Sequence, residues 1–305
     1  MKNLKYIYRQ YYNFILLFFI ILSIFSCKSK TLNYVEYYNK VYDIDSTHRA
    51  DKDTLATIKN YRKLFRKYPP VQNERIEEYE TYIKLADQYG KRFGGKKSLD
   101  KLIVQAAPNW KYKREDAEFF KLYKKYGIDS LEVEQKVTQW KKSLNQRLID
   151  SFSIAFQRDQ YNGRIYETPG LKEKDDQNAE LLLWTLKNYG FPSLQKIGLY
   201  GNNNLFMPMG VLLNHMAQSE HYEYFKIKLV EYVKSGECVP RDYMDLVDKH
   251  QYINYLETEY GIFQHADDLR FDTIKINKRR KEIGFPSLKK SVKIGRDFNI
   301  KNRQK

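Results

Sequence analysis

Apolar and polar residues follow the 3.6-residue period of an α-helix along most of this chain. Leu55, Ile58, Phe65 and Tyr68 form one stripe, stopped by Pro69 and Pro70. Ile76, Tyr79, Ile83 and Ala86 form another that ends at Tyr89 and Gly90, and Phe119, Tyr123 and Tyr126 lead to Gly127. The strongest pattern is Val137, Trp140, Leu144, Leu148, Phe152, Ala155 and Phe156, which predicts one long helix with a single apolar side. Further helices are expected over 176–189, 208–218, 220–234 and 240–257, and near 272–283. Asp176 is expected to cap the first of these, and Pro240 to sit in the first turn of the fourth. Gln195–Leu199 and Thr273–Ile276 could extend, but neither alternates as a half-buried strand does. The pattern therefore predicts a mainly α protein, an irregular multi-helix packing with at most a minor β element.

The punctuation between helices is repetitive. Tyr-Gly occurs at 89–90, 126–127, 189–190 and 260–261. Glycine can take the left-handed conformation that ends a helix while the ring covers the last turn. Gly-Phe-Pro-Ser-Leu appears at 190–194 and again at 284–288, each time after a basic helical end. No wider period accompanies the two copies, so a repeat architecture does not follow.

The first 26 residues break the helical-core pattern. Lys2, Lys5 and Arg9 precede the apolar run from Phe14 to Leu22, and Ile24, Phe25 and Ser26 lead directly into Cys27. A basic start, a short apolar stretch and a small residue before the cut make a secretory signal. The run from Phe14 to Phe25 is shorter than the roughly 20 residues that cross a bilayer, which disfavours a retained helix. A cysteine directly after the cut points to acylation, and the site resembles the relaxed lipoboxes of Bacteroidota lipoproteins. Cys27 is thus the expected lipidation site, holding the protein to the lipid bilayer of the cell envelope. Lys28 and Lys30 follow it, with no acidic cluster, so the expected address is the outer membrane facing the periplasm. The expected organisation is a signal peptide over 1–26, an acylated tether over 27–51 and an N-terminal helical region over 52–145. A C-terminal helical domain over 146–290 and a basic tail over 291–305 complete it.

Charge and cysteine content narrow the classes further. The full chain carries a formal net charge of +16, and loss of Lys2, Lys5 and Arg9 leaves +13. That balance favours anionic surfaces and ligands. The basic residues are dispersed and the address is an exported one, so no nucleic acid is expected as a partner. With Cys27 acylated, Cys238 is the one remaining thiol, and no intrachain disulfide can form. The core must do without one, and its material is aromatic: 27 tyrosines, 17 phenylalanines and three tryptophans.

The chain has no glycine-rich dinucleotide loop, phosphate-binding loop, His-Glu-x-x-His pair or nucleophile elbow, and no cofactor is implied. Cys238 has no reactive motif around it and reads as a small core residue. His215 and His221, with Glu220, do not make a recognised metal-ligand set. What stands out is polar residues set among apolar ones: Asp159, Gln160, Arg164, His215, Asp248, Gln264 and Arg280.

Several of these residues carry a resemblance to an uncharacterised bacterial group, the domain-of-unknown-function family numbered 6624, over about residues 150–290. Asp159, Gln160 and Arg164 resemble its Asp-Gln-x-x-x-Arg element, and Asp175 to Asn178 its Asp-x-x-Asn element. Gly190, Phe191, Pro192 and Gly198 match a following glycine-aromatic-proline segment. Leu212 to His215 resemble an apolar-Gln-His segment with asparagine at 214, and Leu246 to Lys249 a Leu-x-Asp-Arg segment with lysine at 249. Tyr260 to Gln264 and Arg279 to Pro286 resemble its closing elements. The resemblance implies no reaction or ligand, and residues 28–145 lie outside it.

Two readings of the polar set stand side by side. Asp159 or Asp248 could orient His215 as a base, with Arg164 holding an anionic group and Gln160, Gln264 and Arg280 binding ligand. The same residues could instead be a buried network that fixes helix order. The function expected first is an envelope lipoprotein whose helical body binds an envelope protein or a small anionic ligand. A hydrolase-like enzyme using the Asp/His/Arg cluster is the alternative, and a purely structural or immunity-type interaction protein the third.

Overall fold

Helices dominate because the apolar period in each segment leaves one face to bury. The computed structural model describes residues 32–303 except 73–74, 161–163, 165–169 and 264–271. In chain order the helices are α1 (Tyr34–Asp51), α2 (Thr54–Lys67), α3 (Glu78–Gln88), α4 (Lys96–Ala106), α5 (Ala117–Lys125), α6 (Ser130–Ser143) and α7 (Gln146–Asp159). They continue as α8 (Leu171–Asn188), α9 (Met209–His215), α10 (Tyr222–Ser235), α11 (Pro240–Tyr255), α12 (Thr273–Glu282) and α13 (Leu288–Arg303). Single helical turns at Trp110–Lys113 and Leu194–Ile197 supplement them. Tyr200 and Phe206 form an isolated antiparallel bridge. The fold is mainly α, as the periodicity predicts. None of the described helices is long and apolar enough to cross a membrane, and Cys27 lies outside the described residues.

Several expectations change. Residues 34–51, expected within a tether, form α1, and Tyr34, Tyr37, Tyr38, Val41 and Tyr42 are all buried. Their spacing of three, four, seven and eight from Tyr34 is one helical face, so the segment belongs to the core. Glycine at 236 permits this approach: a Cβ there would lie 2.7 Å from the Tyr34 ring. The basic tail likewise belongs to the body, because α13 buries Ile294 and ties back to α1 through Lys290 and Asp297. Asn33–Lys305 forms one compact unit.

The long helix predicted through residue 156 is broken in two. Leu144 adopts an extended backbone, and the Asn145 side chain accepts the Leu148 N–H to cap α7. The Asn145 N–H is then free to donate to the Lys196 carbonyl at 2.8 Å. Burial survives the break, since Trp140, Leu148, Phe152 and Phe156 all remain in the core. Asp176 lies inside α8, paired with Lys172 one turn earlier, instead of capping it.

Both copies of Gly-Phe-Pro-Ser-Leu perform the same local task. Gly190 and Gly284 take left-handed φ values of 74° and 84° after α8 and α12. Phe191 and Phe285 bury, and Leu194 and Leu288 each open a new helical segment. Gly90 and Gly127 end α3 and α5 in the same left-handed way.

Candidate functional site

Asp159 ends α7, where the aligned carbonyl dipoles disfavour a carboxylate. It is fully buried, so its charge must be compensated locally. His215, the last residue of α9, places Nδ1 2.7 Å from Asp159 Oδ1. Arg164 donates to the same oxygen at 3.3 Å, and Gln160 donates to Oδ2 at 2.5 Å. The Arg164 guanidinium also forks onto Asp175 of α8 at 2.9 and 2.6 Å. Its backbone is left-handed at φ 55°, an unusual conformation for a residue bearing a Cβ. Beside this group, Arg158 donates to Asn178, and Asn178 donates to the Ala155 carbonyl across α7.

This geometry brings together four expected residues: Asp159, Gln160, Arg164 and His215. A carboxylate at Nδ1 favours the tautomer with the proton on that nitrogen, which in a neutral imidazole makes Nε2 the acceptor. The His215 side chain keeps 19% of its exposure, and no described residue pairs with Nε2. Arg164, expected to hold an anionic substrate group, has both terminal nitrogens on carboxylates.

Asp248 and Arg280 lie in a second network. Asp248, fully buried on α11, accepts from the Thr258 hydroxyl and from the backbone N–H groups of Glu259, Tyr260 and Ile262, all within 2.6–2.8 Å. Arg280 of α12 is 2% exposed and donates to the carbonyls of Tyr260 and Pro286 and to the Ser291 hydroxyl. Together they clamp the Tyr260–Gly261 turn, and no described contact joins them to His215. Gln264 lies outside the described residues.

A cleft of about 700 Å³ lies elsewhere. It opens among the C-terminal half of α1, the start of α3, the end of α4 and the outer half of α13. Glu78 on its wall is 1% exposed, and its carboxyl accepts from the Tyr37 hydroxyl at 2.9 Å. Burial pushes Glu78 up to about 8, despite the hydrogen bond from Tyr37. Glu77 moves the other way: burial alone would raise it, but Lys113 and Lys301 outweigh burial and hold it at about 2. Lys113 reaches Glu77 at 2.8 Å and Glu80 at 2.5 Å, and Lys301 reaches Glu77 at 2.8 Å. Motif reading misses this cleft, because its residues come from 45–113 and 297–301 and no short pattern links them. The one local signal is Glu77, Glu78 and Glu80 interleaved with Ile76, Tyr79 and Tyr82 in a basic chain.

Cys238 is fully buried, and burial pushes its thiol well up, which leaves it inert. Glu180, Glu220 and His221 place ligand atoms within 4.8 Å of one another, but both glutamates are exposed. The His221–Glu180 contact at 2.6 Å accounts for the grouping as a surface ion pair.

Compared with known proteins, the chain matches no protein-family model, no curated protein and no solved structure.

Proposed function

We propose that this protein is a lipid-anchored envelope protein, acylated at Cys27, whose helical body binds a small ligand in the cleft walled by α1, α3, α4 and α13. The 700 Å³ cleft carries the reading. It falls within the volume range of small-molecule sites and combines apolar walls with a few convergent polar groups. A carboxyl group shifted to about 8 inside such a cleft is the kind of perturbed group that marks binding sites. The signal layout before Cys27 supplies the address.

Two measurements test this. Mass spectrometry of the mature N-terminus is expected to give an acylated Cys27; an intact Met1 or an unmodified cysteine sinks the anchor. For the body, small molecules released on denaturing the purified full-length chain are compared with those from Thr81→Trp, which narrows the cleft from α3. A compound enriched in wild type and lost in the variant is expected. Identical release from both argues against the cleft.

The Asp159–His215 pair supports a second reading, a hydrolase-like reaction with His215 Nε2 as base and Asp159 as its positioning partner. Screening ester, amide and phosphoester substrates against wild type and His215→Ala tests it. Any turnover that survives His215→Ala unchanged removes His215 from the chemistry.

A further inference from the structure

The α1–α3–α4–α13 cleft has a charge balance that selects among ligands. Its lining holds five carboxyl groups, Asp45, Glu77, Glu78, Glu80 and Asp297, against five permanent cations, Arg49, Lys52, Arg75, Lys113 and Lys301. The carboxyl side is weaker than this tally suggests. Glu78, at about 8, is mostly uncharged at neutral pH. Asp45 and Glu80 each take a further cation from outside the lining, Lys290 at 3.5 Å and Lys84 at 2.5 Å. Lys52 has no ionic partner among the described residues. The cleft as a whole is therefore electropositive, with its acids already paired.

Its other properties are apolar surface and unmet hydrogen bonding. Tyr61, Ile76, Tyr79 and Leu102 form the inner wall, and Phe298 stands at the mouth, 37% exposed. The Arg75 guanidinium lies over the Phe298 ring at 5.8 Å, which places a cation beside an aromatic face. Two buried side-chain atoms of this wall, His48 Nδ1 and Gln105 Oε1, have no hydrogen-bond partner among the described residues. Such atoms are rare in folded proteins, and these two leave polar positions on the wall that a bound molecule can meet.

We propose that the cleft takes a small organic anion, a carboxylate or phosphate joined to an apolar ring or chain. The inference rests on reading the cleft as a binding site. A cationic ligand would have to displace Lys113 or Arg49 from carboxylates they already pair with. An anion meets Lys52, which has no ionic partner among the described residues, and the exposed Lys301, while its apolar part lies along Phe298 and the inner wall.

The probes are 1-naphthaleneacetate and 1-naphthaleneacetamide, which share a ring and differ in charge. Calorimetric titration uses the full-length chain in maltoside micelles against a micelle blank. The acid is expected to bind about tenfold more tightly than the amide, the ratio that a charged contact typically adds over a neutral one. Lys52→Ala with Lys301→Ala, both at exposed side chains, is expected to erase most of that preference. Phe298→Ala is expected to weaken both probes. Equal affinity for acid and amide overturns the anion class but leaves the cleft as a binding site. Binding of neither probe to a chain with wild-type circular dichroism and melting overturns the site itself. A preference that survives the double lysine variant, or affinities unmoved by Phe298→Ala, places the anion elsewhere and overturns the proposal.

Discussion

Replacing Glu78 with glutamine is expected to stabilise the protein in alkaline solution and to change it little in acid. Glu78 opens α3, is 1% exposed, and sits about 3.5 units above its ordinary value of 4.5, at about 8. The folded chain therefore keeps this proton up to about pH 8, whereas the unfolded chain releases it near 4.5. Folding takes up a proton between those limits. The contribution is fully favourable below about 4.5, falls as pH rises through the window, and levels off above 8. At about 1.4 kcal/mol per unit, the whole window is worth about 5 kcal/mol. Between pH 5 and pH 9 the expected loss in wild type is about 4 kcal/mol, an upper value because a buried site relaxes around a charge.

Glutamine keeps the side-chain shape and an oxygen for the Tyr37 hydroxyl, but it carries no titrating proton. Urea midpoints followed by circular dichroism at pH 5, 7 and 9 give the difference directly, provided the denaturant slope stays constant. The Glu78→Gln chain should gain steadily on wild type as pH rises. Parallel profiles for the two chains would show that Glu78 ionises normally in the folded state, and the reasoning from burial would fail.

Three other substitutions probe the remaining networks. Asp159→Ala leaves Arg164 and His215 without their shared buried acceptor, and a loss of about 3–5 kcal/mol is expected in urea unfolding; a loss under 1 kcal/mol would mean the pair is solvated. Asn145→Ala removes the cap where the long apolar stripe breaks, and about 1 kcal/mol is expected, with faster amide exchange at Leu148. Arg280→Leu strips donors from the Tyr260 and Pro286 carbonyls and is expected to raise amide exchange across residues 258–262 and 288–292. Unchanged exchange there would remove Arg280 from the clamp.

Apart from α4 and the break between α6 and α7, the helices from α2 to α12 are legible, because their burial is periodic and local. Proline and glycine marked their ends because those residues act through backbone conformation, which depends little on distant contacts. Helix α4 was missed, although Leu99, Leu102, Ile103 and Ala106 carry the helical spacing. Helix α1 was hidden for another reason. Its tyrosines carry the period, yet a segment just after a lipidation signal invites reading as a linker, and only packing against α2 and α10 shows otherwise. Helix α13 is harder still: of its apolar residues Ile294 is deeply buried, while Phe298 and Ile300 are exposed. What holds it are ion pairs to partners more than 200 residues away, such as Lys301 to Glu77.

The same distinction explains the site. Asp159 and His215 were each conspicuous as polar residues in apolar company, but that signal reports burial and not partnership. It grouped Asp248 with them, although Asp248 has its acceptor capacity filled by the turn that starts ten residues later. A buried carboxylate that accepts four hydrogen bonds from its own neighbourhood holds a loop, and one that shares an oxygen with an imidazole and a guanidinium leaves a nitrogen open. The difference lies in who donates, which is a three-dimensional fact. The cleft takes this further, because its electropositive character depends on Lys290, Lys84 and the protonation of Glu78 as much as on the residues that line it. Chain charge alone pointed to an anion. The cleft itself points to where it binds, because Lys113, Lys84, Lys301, Arg49 and Lys290 already occupy its carboxylates.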